Sequence, residues 1–517
     1  MKNFLKTLTE YELMDQGEMQ GMLEKWAEAV NGVIWSNPVV YVCLSVGLLF
    51  SIMTRFLQIR HFKEMIRLVF KGKSSEAGVS SFQAFTMALS GRVGTGNIAG
   101  IALAVGMGGP GAIFWMWVMA FIGSATAFVE STLAQIYKVK RDGQYRGGPA
   151  FYIEKGTGLK WFAVIFAVVA LVAMCLLLPG TQSNSIAVAF HSSFGMDMKV
   201  SGIVVVVLLA LIIFGGVKRI ANVAQVVIPF MALGYILVSF YIMMTNITAL
   251  PDVFALIFRS AFGIDSVFGG IAGTAIAWGV KRGIYSNEAG QGSGAHPAAA
   301  AEVSHPAKQG LVQAFSVYVD TFLVCTSTAF MVLFTGMYNV KGPGGGYIVQ
   351  HLPGVEEGTQ YTQSAIESVF PGFGSSLLSI TLFFFAFTTI IAYYYIAETN
   401  MAYLIADRKA KWPMFLLKLV ILGSTFYGTV VKESALAWTL GDVGVGIMMW
   451  VNLIAMILLA KPALLVLKDY ERQRRQGIDP VFDPKKAGIS NADYWSKEYQ
   501  PPSDELTITA KPSKLQA

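Results

Sequence analysis

Residues 84–108 read AFTMALSGRVGTGNIAGIALAVGMG, a stretch as long as a membrane-spanning helix and interrupted at its middle by Val93-Gly94-Thr95-Gly96-Asn97. A spanning helix satisfies its own backbone, because the bilayer core holds no water to do so. Two glycines this close undo the helix locally and release amides and carbonyls near the midplane. Such a break persists only where it is packed inside protein or binds something polar. Ions and small zwitterions are the usual occupants in transporters with discontinuous helices. A small-residue helix-packing seam is the plainer alternative. Arg92, Thr95 and Asn97 are too polar for it.

The composition agrees with a membrane protein. Hydrophobic residues make up 54% of the 517 and charged residues 14%, with a mean hydropathy of +0.54. Apolar runs approaching ~20 residues recur along the chain, each long enough to span. The net charge of +7 is no mark of nucleic-acid binding, because the basic residues sit in short loops beside apolar runs, where they set orientation. Cys43, Cys175 and Cys325 all lie inside apolar runs, so neither a disulfide framework nor a metal spacing is suggested. Acidic Glu10, Glu12, Asp15, Glu18 and Glu24 stand where a signal peptide would be basic and then apolar.

The runs predict an all-α polytopic protein of about eleven spans. The first, from Val39 to Phe56, is followed by Arg55, Arg60, Lys63, Arg67, Lys71 and Lys73. Further basic flanks are Lys138 to Arg146, Lys218 and Arg219, Arg408 to Lys411, and Lys461 to Arg475. All of them fit an outside N-terminus and a cytoplasmic C-terminus. A second interrupted segment, GVKRGIYSNEAGQGSGAH at 279–296, follows a run too short to span alone. With the first span set aside, about ten remain, and a broken helix opens each group of five. An odd number per group inverts the halves, and paired broken helices in inverted halves point to a transporter's binding site. The expected divisions are an acidic amphipathic segment at 1–36, an extra first helix with its basic loop at 37–83, repeats at 84–246 and 247–470, and a polar, mobile cytoplasmic tail at 471–517.

Gly94-Thr95-Gly96-Asn97-Ile98-Ala99-Gly100, the run GGPGAIFWMW at 108–117, and Ser286-Asn287-Glu288-Ala289-Gly290-Gln291-Gly292 together resemble the alanine or glycine:cation symporter family. The resemblance covers roughly residues 37–470. It implies the amino acid–polyamine–organocation superfamily and its LeuT fold, a ten-helix 5+5 inverted repeat. It also implies symport of alanine or glycine with sodium or protons across a prokaryotic cytoplasmic (inner) membrane. Val93 to Asn97 are similar to the unwound first core helix of the sodium-coupled leucine transporter.

Gly94, Thr95, Gly96 and Asn97 are the candidate substrate-binding residues of the break, because free amides at a half-helix N-terminus favour a carboxylate. Glycine at 94 and 96 lets backbone approach the substrate closely. The family's QSN-like motif implies a substrate contact for Gln182. Asn184 fits an interhelical hydrogen bond equally well. Trp278 and Phe385 or Phe387 are candidate pocket walls, although aromatic residues in membrane helices more often simply pack. Thr388 and Thr389 either bond back to their own helix or ligate a hard cation. The LeuT resemblance implies that they join the carbonyls of Ser90 and Val93 around sodium, the coupling ion; no other cofactor is expected. Arg92, Glu130, Lys281, Arg282, Glu288 and Asp320 are intramembrane charges that need partners. Glu288 is expected to pair with Arg92 or Arg282, and Asp320 with Thr321 to serve a second cation or a proton step. Structural ion pairing is the alternative for each.

No filter motif favours a channel, and neither an intramembrane-enzyme motif nor a P-loop is present. The reading is a non-enzymatic secondary transporter. Proton coupling or a broader neutral amino-acid permease are its alternatives, the bilayer and a small amino acid are its partners, and nothing in the sequence sets an oligomeric state.

Overall fold

Long apolar runs fold as helices because only a helix or a closed barrel leaves no backbone polar group to the lipid. A computed structural model of the chain describes residues 16–72, 74–406, 411–431 and 434–499. Among the described residues, seven helices are long and apolar enough to cross a membrane: Gly111–Ile136, Lys160–Phe194, Val217–Thr245, Pro306–Thr335, Gly374–Ile405, Trp412–Val430 and Ser434–Leu458. Gly21–Ile34 and Asn37–Met53, bent by 45°, make an eighth if they are one span. The sequence-based count of about eleven exceeds this. The difference lies in Met198–Ile213, which is 16 residues long, and in two helices that are broken.

The first broken helix runs from Ser81 to Arg92 and resumes at Gly96–Gly108. Its start is fixed by a capping box. Ser80 Oγ accepts from the Gln83 amide at 3.2 Å, and Gln83 Oε1 accepts from the Ser80 amide at 3.0 Å. The second runs over Ala272–Asn287 and resumes briefly at Ala295–Ala300. Its break needs left-handed backbone: Glu288 has φ +55°, Gly290 +87° and Gly292 +89°. A Cβ at Gly292 would lie 2.6 Å from Pro149 Cγ, so glycine is required there for space as well as for conformation.

The basic flanks meet in one layer. Arg60 and His61 bond Glu471 at 2.8 and 2.9 Å, and Tyr470 Oη donates to Glu64 at 2.7 Å. The hairpin Val139–Arg141/Gln144–Arg146 packs on the short helices Asp493–Lys497 and Ala295–Ala300. Residues 337–372 carry a second hairpin, Asn339–Lys341/Tyr347–Gln350, and the helix Thr359–Val369, both packed on the first broken helix.

The tail departs from the expected mobile segment as far as residue 499. Phe482, Tyr494 and Trp495 are buried. Trp495 Nε1 donates to the Gln135 carbonyl at 2.8 Å, and the Phe482 amide to Ser304 O at 2.9 Å. Lys155–Asp493 and Lys308–Asp479 pairs, at 2.7 and 2.9 Å, tie down its edges. Three aromatic side chains inside a polar composition supply the apolar area that anchors the segment. Lys138 sits under it, 4.3 Å from the Tyr145 ring centroid and 4.7 Å from that of Tyr494, and its ammonium donates to Ala301 O at 3.0 Å. Burial pushes its pKa down to about 7, with Glu302 the opposing charge. Glu10, Glu12, Asp15, Lys73, Arg408, Lys409 and the residues after Tyr499 lie outside the described residues.

Trp495→Ala removes a buried indole and its hydrogen bond, a change worth about 3–5 kcal/mol in well-packed cores. The melting temperature of the detergent-purified protein should fall by several degrees; an unchanged value would mean that the segment does not pack.

Candidate functional site

The first break is held by side chains from other helices. The Gly94 amide donates to Asn97 Oδ1 at 2.8 Å, and the Thr95 amide to Gln182 Oε1 at 3.0 Å. These amides, expected to be free for a carboxylate, are therefore engaged. Gln182 Nε2 reaches Tyr393 Oη at 3.3 Å. Thr95 Oγ1 is buried with no hydrogen-bond partner among the described residues. A Cβ at Gly94 would lie 2.6 Å from Thr389 Oγ1 and 2.9 Å from Gln182 Oε1. A Cβ at Gly96 would instead meet Tyr285 Cδ1 at 3.0 Å, so Gly96 lets the two broken helices approach each other.

Thr389 Oγ1 lies 2.9 Å from Ser90 O, 3.3 Å from Val93 O and 3.0 Å from Phe385 O. A hydroxyl has one proton to give, so at most one of these carbonyls receives it while all the oxygens converge. Thr388 bonds only to its own helix, at Phe384 O and Phe385 O, and does not reach the carbonyls of Ser90 and Val93. Phe385 is buried against the Tyr235 ring at 5.3 Å.

A second polar knot joins the two broken helices. Asn97 Nδ2 donates to Asp320 Oδ1 at 2.6 Å, and Ser286 Oγ and Thr321 Oγ1 donate to Asp320 Oδ2 at 3.0 and 2.8 Å. Thr328 Oγ1 caps the Asn97 carbonyl at 2.6 Å. Asn184 makes the plainer choice: its Nδ2 donates to Gly428 O and Val431 O at 3.1 and 2.9 Å.

The expected charge pairs do not form. Arg282 makes a two-pronged bond to Asp442, 2.9 Å on each arm, and Lys281 Nζ lies 2.7 Å from Asp442 Oδ2. Glu288 accepts from Ser293 Oγ at 2.8 Å, and Arg92 forms no ion pair among the described residues. The Arg282–Asp442 pair borders a cavity of about 580 Å³ walled by Trp278, Trp438 and Glu357. Arg282 also lies 5.1 and 4.9 Å from the centroids of Trp278 and Trp438. Trp278 therefore lines the cavity, and the Tyr285 ring lies tilted against Trp438, their centroids 5.3 Å apart. Sequence reading missed Asp442, although a lone carboxylate in the apolar run after Leu436 signals a partner. It also missed Tyr285, Thr328 and Tyr393, which carry no local signal.

The architecture is that of a polytopic helical membrane protein. A mutant of the Eremococcus coleocola manganese transporter aligns with a TM-score of 0.50 at 13% identity, covering 84% of this chain and 93% of that one; the likeness is one of fold alone. The sodium:alanine symporter family matches residues 19–484, extending past both ends of the stretch expected from sequence. YrbD of Bacillus subtilis (strain 168) is 67% identical over 479 residues, 93% of this chain and 99% of YrbD. The sodium/proton-dependent alanine carrier protein of Bacillus sp. (strain PS3) is 58% identical over 440 residues, 84% of this chain and 98% of that one. The chain belongs to the sodium:alanine symporter family.

Asp442→Asn leaves two buried cations without their carboxylate, a loss of about 3–5 kcal/mol. A thermal-unfolding series should show Asp442→Asn strongly destabilised and Arg282→Gln/Asp442→Asn less so than the sum of the single changes. Additive losses would mean the pair is not coupled.

Proposed function

We propose that the protein imports alanine, and glycine with it, together with sodium, by alternating access in a LeuT-type 5+5 inverted repeat preceded by one extra helix. Its place would be the prokaryotic inner membrane, with the N-terminus outside. The observation that carries sodium is the convergence of Thr389 Oγ1 with the Ser90 and Val93 carbonyls. Oxygen lone pairs facing one another suit a hard cation, and family membership supports alanine as the passenger. In this reading Gln182 and Asn97 give up the Thr95 and Gly94 amides to the substrate carboxylate. Gly94 carries no Cβ where Thr389 Oγ1 and Gln182 Oε1 already crowd it, and in this reading Gln182 closes the pocket so that it admits a methyl side chain and little more.

Uptake of labelled alanine into proteoliposomes should collapse when choline replaces sodium. Thr389→Ala removes an oxygen the ion needs, about 1–3 kcal/mol, so the sodium concentration for half-maximal uptake should rise about five-fold to over a hundred-fold. Thr388→Ala should change it by about two-fold or less, because it loses only bonds within its helix. Equal shifts in both variants would place the ion elsewhere, and uptake indifferent to sodium would end the sodium reading.

Substrate size gives an independent check. Glycine and unlabelled alanine should compete for uptake, while leucine and phenylalanine should compete poorly, because steric exclusion outweighs the ~1–3 kcal/mol a methylene adds in an apolar pocket. Inhibition by leucine as strong as by alanine would make a broad neutral amino-acid permease the better description.

A further inference from the structure

Arg92, Glu130 and Glu288 are all buried, and none of them takes part in the oxygen set or the amide contacts above. They come from three elements: the end of the first half-helix, the helix Gly111–Ile136, and the second break. Arg92 Nη1 donates to Ser316 Oγ and, at 3.4 Å, to Gln313 O. Its Nε and Nη2 have no partner among the described residues, and neither has Glu130 Oε1. Nη2 and Oε1 border one point: a Cβ at Gly294 would lie 2.6 Å from the first and 3.7 Å from the second. Glu130 Oε2 is fully used, accepting from the Gly292 amide at 3.0 Å and from Asn452 Nδ2 at 3.1 Å. Glu288 lies against the back of the same turn, where a Cβ on Gly91 would be 3.1 Å from its Oε2.

The charges do not balance. One guanidinium faces three buried carboxylates, Glu130, Glu288 and Asp320, and an unpaired buried charge costs several kcal/mol. The other ionisable groups around them add no cation. Asp320, Tyr285 and Tyr393 face Glu288, and Tyr152 faces Glu130 through Asn452. His296 is turned to Ser293 O and Asn400. Asp320 has its own donors in Asn97, Ser286 and Thr321; a proton on one of the other two carboxylates reduces the negative excess, and Glu130 Oε1 is buried with no donor among the described residues.

We propose that Glu130 is a proton-binding site of the transport cycle, with the proton carried at Oε1 beside Arg92. The O–H bond forms when the site faces the outer solution and breaks when it faces the cytoplasm, so one proton enters per cycle and nothing is oxidised or reduced. Gly292, the donor to Glu130, lies in the second break, and Arg92 is the last residue before the first. A proton at this junction is therefore sensed by both. The assignment rests on the reading of the chain as a cation-coupled alanine carrier.

The test uses full-length protein in proteoliposomes that enclose a pH dye, with voltage clamped and equal sodium on both sides. External alanine should acidify the lumen of wild-type vesicles, and Glu130→Gln should lower that rate by about tenfold or more. Alanine should still raise the melting temperature of Glu130→Gln, since a ligand that binds the folded state stabilises it. If Glu130→Gln does not fold, Glu130→Asp decides: a displaced pH profile of uptake supports the site, and a wild-type profile overturns it. Acidification by Glu130→Gln at the wild-type rate overturns it. So does wild-type uptake of labelled alanine with no acidification, which leaves the sodium-coupled reading standing. Absence of alanine uptake under any cation gradient would instead refute the carrier reading itself.

Discussion

A helix that stops at Arg92 and resumes at Gly96 inside a membrane leaves amides and carbonyls that no water can satisfy, and each unpaired group costs several kcal/mol. Asn97 takes the Gly94 amide, Gln182 the Thr95 amide, Thr389 faces the Ser90 and Val93 carbonyls, and Thr328 covers that of Asn97. Three of these four side chains belong to other helices: Lys160–Phe194, Gly374–Ile405 and Pro306–Thr335. The gap therefore dictates which helices must surround it. Gly96, against Tyr285, then lets the second broken helix close in, and the Asn97–Asp320–Ser286 knot joins the two.

This arrangement bears on how a ligand binds. On the proposed reading, a carboxylate that reaches the Gly94 and Thr95 amides replaces acceptors already there. The net gain per hydrogen bond is then the small difference between two good bonds. Affinity comes mainly from what the displaced Gln182 and Asn97 do next, Gln182 beside Tyr393 and Asn97 beside Asp320. Loading the site and rearranging the core are thus one event.

The first break was legible in the sequence because Gly94 and Gly96 interrupt an apolar run, and the second because Gly290 and Gly292 do the same beside Lys281 and Arg282. Thr389 was legible as half of a hydroxyl pair, but the sequence could not say which threonine turns inward. That depends on helix rotation: Thr389 looks at the break and Thr388 along its own helix. Arg92 and Arg282 were read as alternative partners for Glu288 because both stand near the breaks, whereas the partner of Arg282, Asp442, is brought up by tertiary packing. Phe482, Tyr494 and Trp495 were hidden because their burial depends on a surface assembled from Gln135, Tyr145 and Ser304.

The Arg282–Asp442 contact spans 160 residues of chain, and this separation governs how the protein is made. Lys281 and Arg282 each oppose insertion by about 2.5–3.5 kcal/mol at the middle of a membrane. Asp442, the group that neutralises them, is translated only after three further apolar helices, Pro306–Thr335, Gly374–Ile405 and Trp412–Val430, and lies in the next one. The segment Ala272–Asn287 therefore leaves the ribosome with two uncompensated charges and cannot settle in lipid on its own. Its place in the bilayer is reached late, when Ser434–Leu458 arrives, so the order of assembly departs from the order of synthesis.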